Sequence, residues 1–476
     1  MTELFLNRRL GEISQKGMTS FHVPAHNGGK LFKRLGIEEY EAGVLGIDMT
    51  ELPGTDNLHN PQDVILQAQN AASRIFGSDE SFFLVNGTTG GIYAAIMSCL
   101  DPGGKLIMDR NSHMSAYNAC LLGRIDPVYA ASRIDEKRGI PLPASEESIE
   151  RAIKENPDAG AVFVTSPTYY GDCIDISRIS KAAHKCGMVL IVDAAHGSHL
   201  GLSALLPPSA IKSGADMAVC SIHKTLGSFT QSSMLHVKGE RADRERLRSL
   251  LRIFQSTSPS YLLMSSLEMA AHIYEKHGER LMGELLGYIY EIADVFKGFD
   301  NIKLYEGKAS GFDMTKLFVV TTATGVSGYE IEELLRENYK IQPEFSTPHG
   351  VLFVSTIGNG GSDFDALKAA LFEIDKLRRC GSLPAIPQYP GAMPKAVASI
   401  SSAFYMKKRL VPLEESKGCI CGDYIIPYPP GIPLVAPGEL IGDDVLEYVR
   451  AALHMGMHVN GVGTDENKSV KVIEMQ

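Results

Sequence analysis

The sequence predicts an α/β protein whose larger part is a mainly parallel sheet covered by helices on both faces. Between about residues 60 and 240, short apolar segments alternate with segments of helical length. The apolar segments are continuous and do not alternate with polar residues, which is typical of parallel strands buried on both faces. A chain of 476 residues is long enough for such a sheet and for further domains.

The elements follow in a regular order. Strands are expected at "SFFLV", "KLIMD", "PVYA", "AGAVFVTS", "MVLIVDAA", "DMAVCS" and "SSMLHV". Helices are expected at "PQDVILQAQNAASRIFG", "GGIYAAIMSCL", "SAYNACLL", "EESIERAIKEN" and "SRISKAAHKCG". Two longer helices are expected at "RADRERLRSLLRIFQS" and "ERLMGELLGYIYEIADVFKGF".

The remaining chain predicts smaller units. The mixture of "KLFVVTT", "YEIEELLRENYK", "VLFVSTIG" and "DFDALKAALFEIDKLRR" is typical of a small α+β domain, and the Pro- and Gly-rich "GSLPAIPQYPGAMP" indicates a linker. We therefore expect an N-terminal arm over 1–60, a large domain over 61–300, a small α+β domain over 301–380 and a C-terminal domain over 381–476.

Composition excludes several classes of protein. The 46 Lys and Arg against 56 Asp and Glu give a net charge of −10, which argues against a nucleic-acid partner. Neither a membrane-spanning segment nor a signal peptide is visible, so a cytoplasmic protein without membrane contact is expected. The eight cysteines are irregularly spaced and predict neither a disulfide framework nor a metal site.

Polar and glycine residues follow several predicted strands, at the edge where an open α/β sheet binds its ligand. Asn86-Gly87-Thr88-Thr89-Gly90-Gly91 comes directly after "SFFLV" and opens a predicted helix. Hydroxyls and backbone N–H groups at a helix N-terminus favour an anion such as phosphate. His113 follows "KLIMD" and offers an aromatic plane that can cover a bound ring. Taken singly, each of these features is more often structural.

Two charged residues complete the pattern. Asp193 ends an apolar strand and can hold a protonated heterocyclic nitrogen. Lys224 follows in Ser221-Ile222-His223-Lys224, and burial of its ammonium would favour the neutral amine that reacts with an aldehyde. An anion site, His113, Asp193 and Lys224 in this order predict a site for pyridoxal 5'-phosphate (PLP).

These motifs resemble the ornithine/lysine/arginine decarboxylase family of fold type I PLP-dependent enzymes, especially its short bacterial arginine decarboxylase-like forms. The resemblance extends over nearly the whole chain and is carried by "FHVPAHNGG", "DMTELPGTDNLHNPQ", "NGTTGG", "DRNSHMS", "SPTYYG", "VDAAHGSHLG", "SIHKTLGSFTQSSMLHV", "STSPSYLLMSSLE" and "IIPYPPGIPLVAPGE". It implies an aspartate aminotransferase-like large domain with smaller α+β C-terminal domains. The implied reaction is PLP-dependent decarboxylation of a basic amino acid, with arginine giving agmatine as the favoured case. Decarboxylation of lysine or ornithine, or a PLP aminotransferase or lyase reaction, are the alternatives.

The resemblance also implies roles for single residues. Lys224 would bind the cofactor aldehyde, Asp193 would pair with the pyridine nitrogen, and His113 would stack on the ring. His196 would lie near the ring hydroxyl or the substrate carboxylate. The implied phosphate ligands are Thr88, Thr89, Ser221 and His223, joined by Ser256 from a neighbouring subunit, so that a homodimer is the expected minimum. The implied catalytic residues are Lys224, His223, His113 and His196.

Recognition of a cationic substrate requires acidic partners. The candidates for this role are Asp48, Glu51, Asp56, Glu344 and Glu439. The chain departs from the usual family pattern at Asn27 and Met114, where lysine is common, and at Ala194, where glutamate is common. These departures leave the preferred basic amino acid open. The segment "PYPPGIP" is expected to make the chain rigid near the site.

Overall fold

A computed structural model describes most of the chain, and a central sheet organises it. The described residues are 19–21, 25–27, 30–37, 50–51, 54–379, 383, 389–390, 393–428 and 431–474. The helices in these ranges are α1 (Lys30–Leu35), α2 (Val64–Phe76), α3 (Gly87–Cys99), α4 (Met114–Gly123), α5 (Glu146–Glu155), α6 (Ile176–Lys185), α7 (Ile222–Thr225), α8 (Arg244–Phe254), α9 (Tyr261–Phe296), α10 (Gly328–Asn338), α11 (Gly361–Asp375), α12 (Ile400–Tyr405) and α13 (Asp443–His454).

The strands are short and numerous. They are β1 (Thr19–Phe21), β2 (Glu80–Leu84), β3 (Lys105–Asp109), β4 (Asp126–Ala130), β5 (Arg133–Asp135), β6 (Ile140–Leu142), β7 (Ala161–Thr165), β8 (Asp172–Cys173), β9 (Val189–Asp193), β10 (Met217–Cys220), β11 (Ser233–Val237), β12 (Lys303–Leu304), β13 (Gly311–Phe312), β14 (Lys316–Val320), β15 (Ile341–Pro343), β16 (Phe345–Thr347), β17 (Gly350–Val354), β18 (Lys408–Val411), β19 (Ile426–Tyr428), β20 (His458–Asn460) and β21 (Val470–Ile473).

The large sheet has the strand order β2-β11-β10-β9-β7-β3-β4. β11 runs antiparallel to both of its neighbours, β2 and β10, and the other six strands are parallel to one another. Every residue of β9, β10 and β11 is buried, because helices cover both faces of the sheet. The α/β prediction is therefore confirmed, including all seven strands expected from the apolar segments.

Helix α9 leads from the large sheet to the second lobe. Its 36 residues give a length of about 54 Å at 1.5 Å per residue. Beyond it, the antiparallel sheet β12-β14-β17-β16 packs against α10, and α11 packs against α9. This small α+β unit corresponds to the one that the sequence predicts after residue 300.

The described part of the C-terminal segment has a core of its own. Val411, Val435, Val449 and Val472 belong to a buried apolar cluster of this segment, and α12 packs against α4 of the large domain. No helix among the described residues has both the length and the apolarity needed to cross a membrane. The domain boundaries that the sequence suggests stay a prediction.

Candidate functional site

The predicted site residues converge at the carboxyl edge of the large sheet. The segments that follow β2, β3, β7, β9 and β10 surround a cavity of about 260 Å3. The residues that sequence reasoning assigned to the site and that line this cavity are Thr88, Thr89, His113, Asp193, His196, Ser221, His223 and Lys224. Residues as far apart in the chain as Thr88 and Lys224, 136 positions, therefore line the same cavity.

Lys224 lies on the one-turn helix α7, directly after β10. Its Nζ is 2.9 Å from His196 Nε2 and 5.4 Å from the centre of the Tyr169 ring. Burial lowers the pKa of the Lys224 amine, although the nearby carboxylates of Asp193 and Glu344 act in the opposite direction. The surroundings thus increase the fraction of neutral, nucleophilic amine at Lys224.

His196 is the hydrogen-bond partner of this amine. Burial, and then the charge of Lys224, lower the pKa of His196 well below its ordinary value. The imidazole is therefore neutral near pH 7, and its unprotonated nitrogen can accept a hydrogen bond from the Lys224 Nζ. This contact fixes the direction of the amine.

Asp193 is the last residue of β9 and is 3% exposed. Its carboxylate accepts a hydrogen bond from the Ala195 N–H at 3.0 Å. Burial raises the pKa of Asp193, and the charges of His113 and Lys224 partly offset this effect. A cation bound in the cavity would stabilise the carboxylate form, because an opposite charge at short distance offsets burial.

Hydroxyl groups cluster at the N-terminus of α3. Thr88 Oγ1 lies 2.5 Å from Ser221 Oγ and 2.9 Å from Ser233 Oγ, and Thr89 is exposed one residue further along the helix. The helix can start this close to the sheet because of Gly91, where a Cβ would lie only 2.4 Å from Leu84 Cδ1. Hydroxyls and free helix N–H groups together form a favourable anion site.

Two histidines border the same cavity. His113 immediately precedes α4 and caps it, because its Nδ1 accepts a hydrogen bond from the Ser115 N–H at 3.2 Å. The side chain of His113 is exposed, so its ring is accessible to a bound molecule. His223 donates from Nδ1 to the Ser232 carbonyl at 2.8 Å, and burial lowers its pKa to about 4. In this neutral tautomer Nε2 is an acceptor, so His223 can donate to a phosphate only if the bound anion raises its pKa.

Family models match both principal parts of the chain. The major-domain model of the Orn/Lys/Arg decarboxylases matches residues 5–322, and the C-terminal-domain model matches residues 388–469. The chain belongs to the Orn/Lys/Arg decarboxylase family. It is therefore an amino-acid decarboxylase.

Comparisons with individual proteins support the same family assignment. The arginine decarboxylase of Halalkalibacterium halodurans is 34% identical over 95% of this chain and 94% of its own length. The arginine decarboxylase of Bacillus subtilis is 33% identical over 96% of this chain and 95% of its own. The crystal structure of the lysine decarboxylase LdcF of Francisella novicida is 20% identical and superposes with a TM-score of 0.79, covering 95% of this chain and 78% of that one. The similarity to LdcF supports the fold type I architecture of this chain.

The acidic candidates occupy very different places in this decarboxylase. Glu344 lies between β15 and β16, close enough for its charge to act on Lys224 and Tyr169. Glu51 is exposed and does not line the cavity, and Asp48 lies outside the described residues. Asp56 instead accepts hydrogen bonds from backbone N–H groups at the start of α2.

Glu439 is likewise engaged elsewhere. It is 3% exposed and forms a two-point ion pair with Arg110, with distances of 2.7 and 2.8 Å. None of the four acids that the structure describes lines the cavity, and of these four Glu344 is the one whose charge acts on Lys224. Ser256, the residue expected to act across a subunit boundary, is exposed, and its carbonyl accepts a hydrogen bond from His59.

Sequence reasoning missed three residues of the site. Tyr169 lies in the loop after β7, where its ring centre is 4.3 Å from that of His196, and burial raises the pKa of its hydroxyl. Thr165 ends β7, and its buried Oγ1 has no hydrogen-bond partner among the described residues. Ser233 belongs to the Thr88 hydroxyl cluster. Tyr169 lies within the motif "SPTYYG" and Thr165 directly precedes it, but a position after a strand does not tell which side chain turns inward.

The C-terminal domain also approaches the site. A second cavity of about 40 Å3 adjoins the first and shares His113, Thr165 and Tyr169 with it. Gly431 and Ile432 of the "PYPPGIP" segment contribute to its wall. The segment therefore lies beside the site. The rigidity expected from its prolines stays a prediction.

Proposed function

We propose that the protein decarboxylates L-arginine to agmatine with PLP bound at Lys224. The observation that carries the proposal is the convergence of Lys224, Asp193 and the Thr88 hydroxyl cluster on one cavity. The arginine substrate is supported by the arginine decarboxylases of H. halodurans and B. subtilis, which are similar to this chain over nearly their full lengths. Lysine and ornithine are the competing substrates.

The residues of the cavity fit PLP. Thr88, Thr89 and Ser221 offer donors for a phosphate at the N-terminus of α3. Asp193 supplies a buried carboxylate for a protonated ring nitrogen. The Thr165 hydroxyl is buried without a partner among the described residues and borders the cavity, as expected for a group that completes its hydrogen bonds with a ligand.

The chain's own groups have separate tasks in the proposed reaction. When bound, PLP supplies an aldehyde that combines with amines and a pyridine ring that accepts the electron pair released as CO2 leaves. Asp193 would pair with the protonated ring nitrogen and would thereby favour this electron shift. His196 orients the Lys224 Nζ, which can return a proton to the substrate Cα after CO2 has left. Glu344 attracts the distal cation of the substrate.

A parallel assay of three substrates tests this proposal. Purified protein with added PLP is incubated with carboxyl-labelled arginine, lysine or ornithine, and the labelled CO2 is trapped. We expect the highest kcat/KM for arginine. A higher value for lysine or ornithine would overturn the choice of substrate, and release from none of the three by PLP-loaded protein would overturn the proposal as a whole.

A second measurement locates the cofactor. Borohydride reduction followed by peptide mass spectrometry should find PLP on Lys224, and Lys224→Ala should lose both this label and CO2 release. The exposed Lys212 provides the control, since Lys212→Ala should keep both. A label that remains after Lys224→Ala would place the attachment at another lysine.

We also propose that the active protein is at least a homodimer, with Ser256 of one subunit near the phosphate site of the other. Ser256 is exposed and lies outside the cavity of its own chain, which suits a role across a subunit boundary. Sedimentation of the PLP-loaded protein tests this proposal. A fully active monomer would exclude it.

A further inference from the structure

A buried polar cluster lies where the small domain meets the large one. The carboxylate of Asp313, between β13 and β14, accepts hydrogen bonds from Thr315 Oγ1 at 2.7 Å and from Lys316 Nζ at 3.0 Å. His199 Nε2 lies 3.2 Å from the same carboxylate. The side chains of Asp313 and Lys316 are 0% exposed and that of His199 is 2% exposed. Burial alone would raise the pKa of Asp313, but Lys316 and His199 together lower it, so the carboxylate stays ionised.

The cluster holds two loops of the large domain. His199 lies three residues after His196, in the loop that follows β9. The Asp313 N–H donates a hydrogen bond to the Gly171 carbonyl at 2.8 Å, and Gly171 lies two residues after Tyr169. A side chain at Gly171 would collide with this contact, because its Cβ would lie 2.6 Å from the Asp313 carbonyl oxygen. Asp313 is therefore fixed against the loops that carry His196 and Tyr169.

These two loops supply the contacts of the reactive amine. His196 accepts a hydrogen bond from the Lys224 Nζ, and the Tyr169 ring lies beside both groups. We infer that His199 and Asp313 are positioning residues, which hold His196 and Tyr169 against Lys224 and so let the small domain set the orientation of the amine. The inference rests on the proposed function and extends it to residues outside the cavity.

Substitution of His199 tests the inference. His199→Leu removes the link to Asp313 but leaves the Asp313–Lys316 ion pair, and should lower kcat by about 10- to 100-fold, as expected for a misplaced reacting group. KM and PLP content should change less than about threefold, since the PLP and substrate ligands are untouched. The circular dichroism that the asymmetric site induces in bound PLP should change in shape. His199→Gln, whose Nε2 can replace the imidazole Nε2, should restore kcat to within about threefold.

A matched pair provides the control. His184 Nε2 lies 2.8 Å from Asp216 Oδ2, but Asp216 precedes β10 and is therefore at the opposite edge of the sheet from the cavity. His184→Leu should leave kcat and the PLP dichroism unchanged. If His199→Leu does not fold, Thr315→Val replaces it, because the Thr315 hydroxyl contacts both Asp313 and His199; it should lower kcat and alter the dichroism.

The outcomes separate the inference from the proposed function. A wild-type protein that releases no CO2 contradicts the proposed function. An active wild type with unchanged kcat and dichroism in His199→Leu, or in its Thr315→Val replacement, contradicts the inference alone. Equal losses in His199→Leu and His199→Gln would also contradict it, because they would show that the hydrogen bond is not what matters.

Discussion

His236 makes the stability of the folded protein depend on pH. It lies on β11 and is 2% exposed, with Nδ1 2.8 Å from the Ser81 hydroxyl and its ring 4.7 Å from that of Phe76. Burial lowers its pKa to about 3, far below the value of about 6.5 for an unfolded chain. Between these two values the unfolded state binds more protons than the native state does.

We therefore expect the free energy of unfolding to fall as the pH falls from about 6.5 towards 3, with no contribution from His236 above that range. Urea unfolding at pH 7 and pH 5 measures the change. His236→Leu should reduce the loss between the two pH values, whereas His272→Leu, at an exposed position, should not. An equal loss in both variants would show that other groups dominate.

Glu344 is the acid whose position suits recognition of a cationic substrate. Its charge acts on Lys224 from the small domain. Glu344→Gln should raise KM for arginine by about 10- to 100-fold, the value of one charged hydrogen bond, with a smaller effect on PLP content. Steady-state kinetics of this variant are compared with those of Glu333→Gln, which changes an exposed acid on α10 of the same domain. An unchanged KM would remove Glu344 from substrate binding.

At the scale of single elements, Asp56 explains the start of α2. Its carboxylate accepts hydrogen bonds from the backbone N–H groups of Gln62, Asp63 and Ile65, whereas the side chain of Asp63 makes no capping hydrogen bond. Hydrogen bonds from backbone N–H groups, those of Gln62 and Asp63 first, lower the pKa of Asp56 against the effect of burial. The residue acts as a capping acid although it lies six positions before Gln62, a spacing too long for the usual sequence pattern.

Asp56→Ala should lower the free energy of unfolding by about 1–2 kcal/mol, the usual effect of losing a cap, and leave KM for arginine unchanged. Asp63→Ala should have a smaller effect on stability. Urea unfolding and steady-state kinetics separate these outcomes. A raised KM in Asp56→Ala would instead support the substrate-binding role that the sequence suggested.

The elements themselves could be predicted well, because each leaves a local pattern. Apolar segments mark β9 and β10, and positions directly after strands mark Asp193 and Lys224. The contacts that complete the site depend on which strands pair in the sheet, and no local sequence pattern shows this. Ser233 reaches Thr88 only because β11 is inserted antiparallel between β2 and β10, and its 145-residue separation from Thr88 leaves no signal in either segment.

At the scale of the whole molecule, the Arg110–Glu439 ion pair joins the C-terminal domain to the large domain. The two residues are 329 positions apart and less than 5% exposed. Arg110 also donates to the Leu434 carbonyl at 3.0 Å and packs over the Tyr129 ring at 4.6 Å. The sequence suggests Glu439, in "APGE", as a substrate ligand, because no local pattern shows that Arg110 is its partner.

Glu439→Gln should lower the free energy of unfolding by about 3–5 kcal/mol, since it leaves the Arg110 charge buried without its counterion. KM for arginine should stay the same among folded molecules. The double variant Arg110→Met, Glu439→Leu should recover much of the stability, because no unpaired charge remains. Glu474→Gln breaks a partly exposed pair with Lys407 and should change stability by less than about 1 kcal/mol. A double variant as unstable as Glu439→Gln would contradict this account.

The reversed direction of β11 has a consequence for how the chain tolerates change. Only eight residues, 225–232, lead from Lys224 to Ser233, because an antiparallel neighbour needs no crossover helix. Lys224 and Ser233, a member of the hydroxyl cluster, are thus joined by one short segment, shorter than the connection between parallel strands. Inserted residues in 225–232 would displace both groups together. Glu136 and Lys137, in the turn between β5 and β6, are exposed, so residues inserted there, or new chain termini placed there, should leave Lys224 and Ser233 undisturbed.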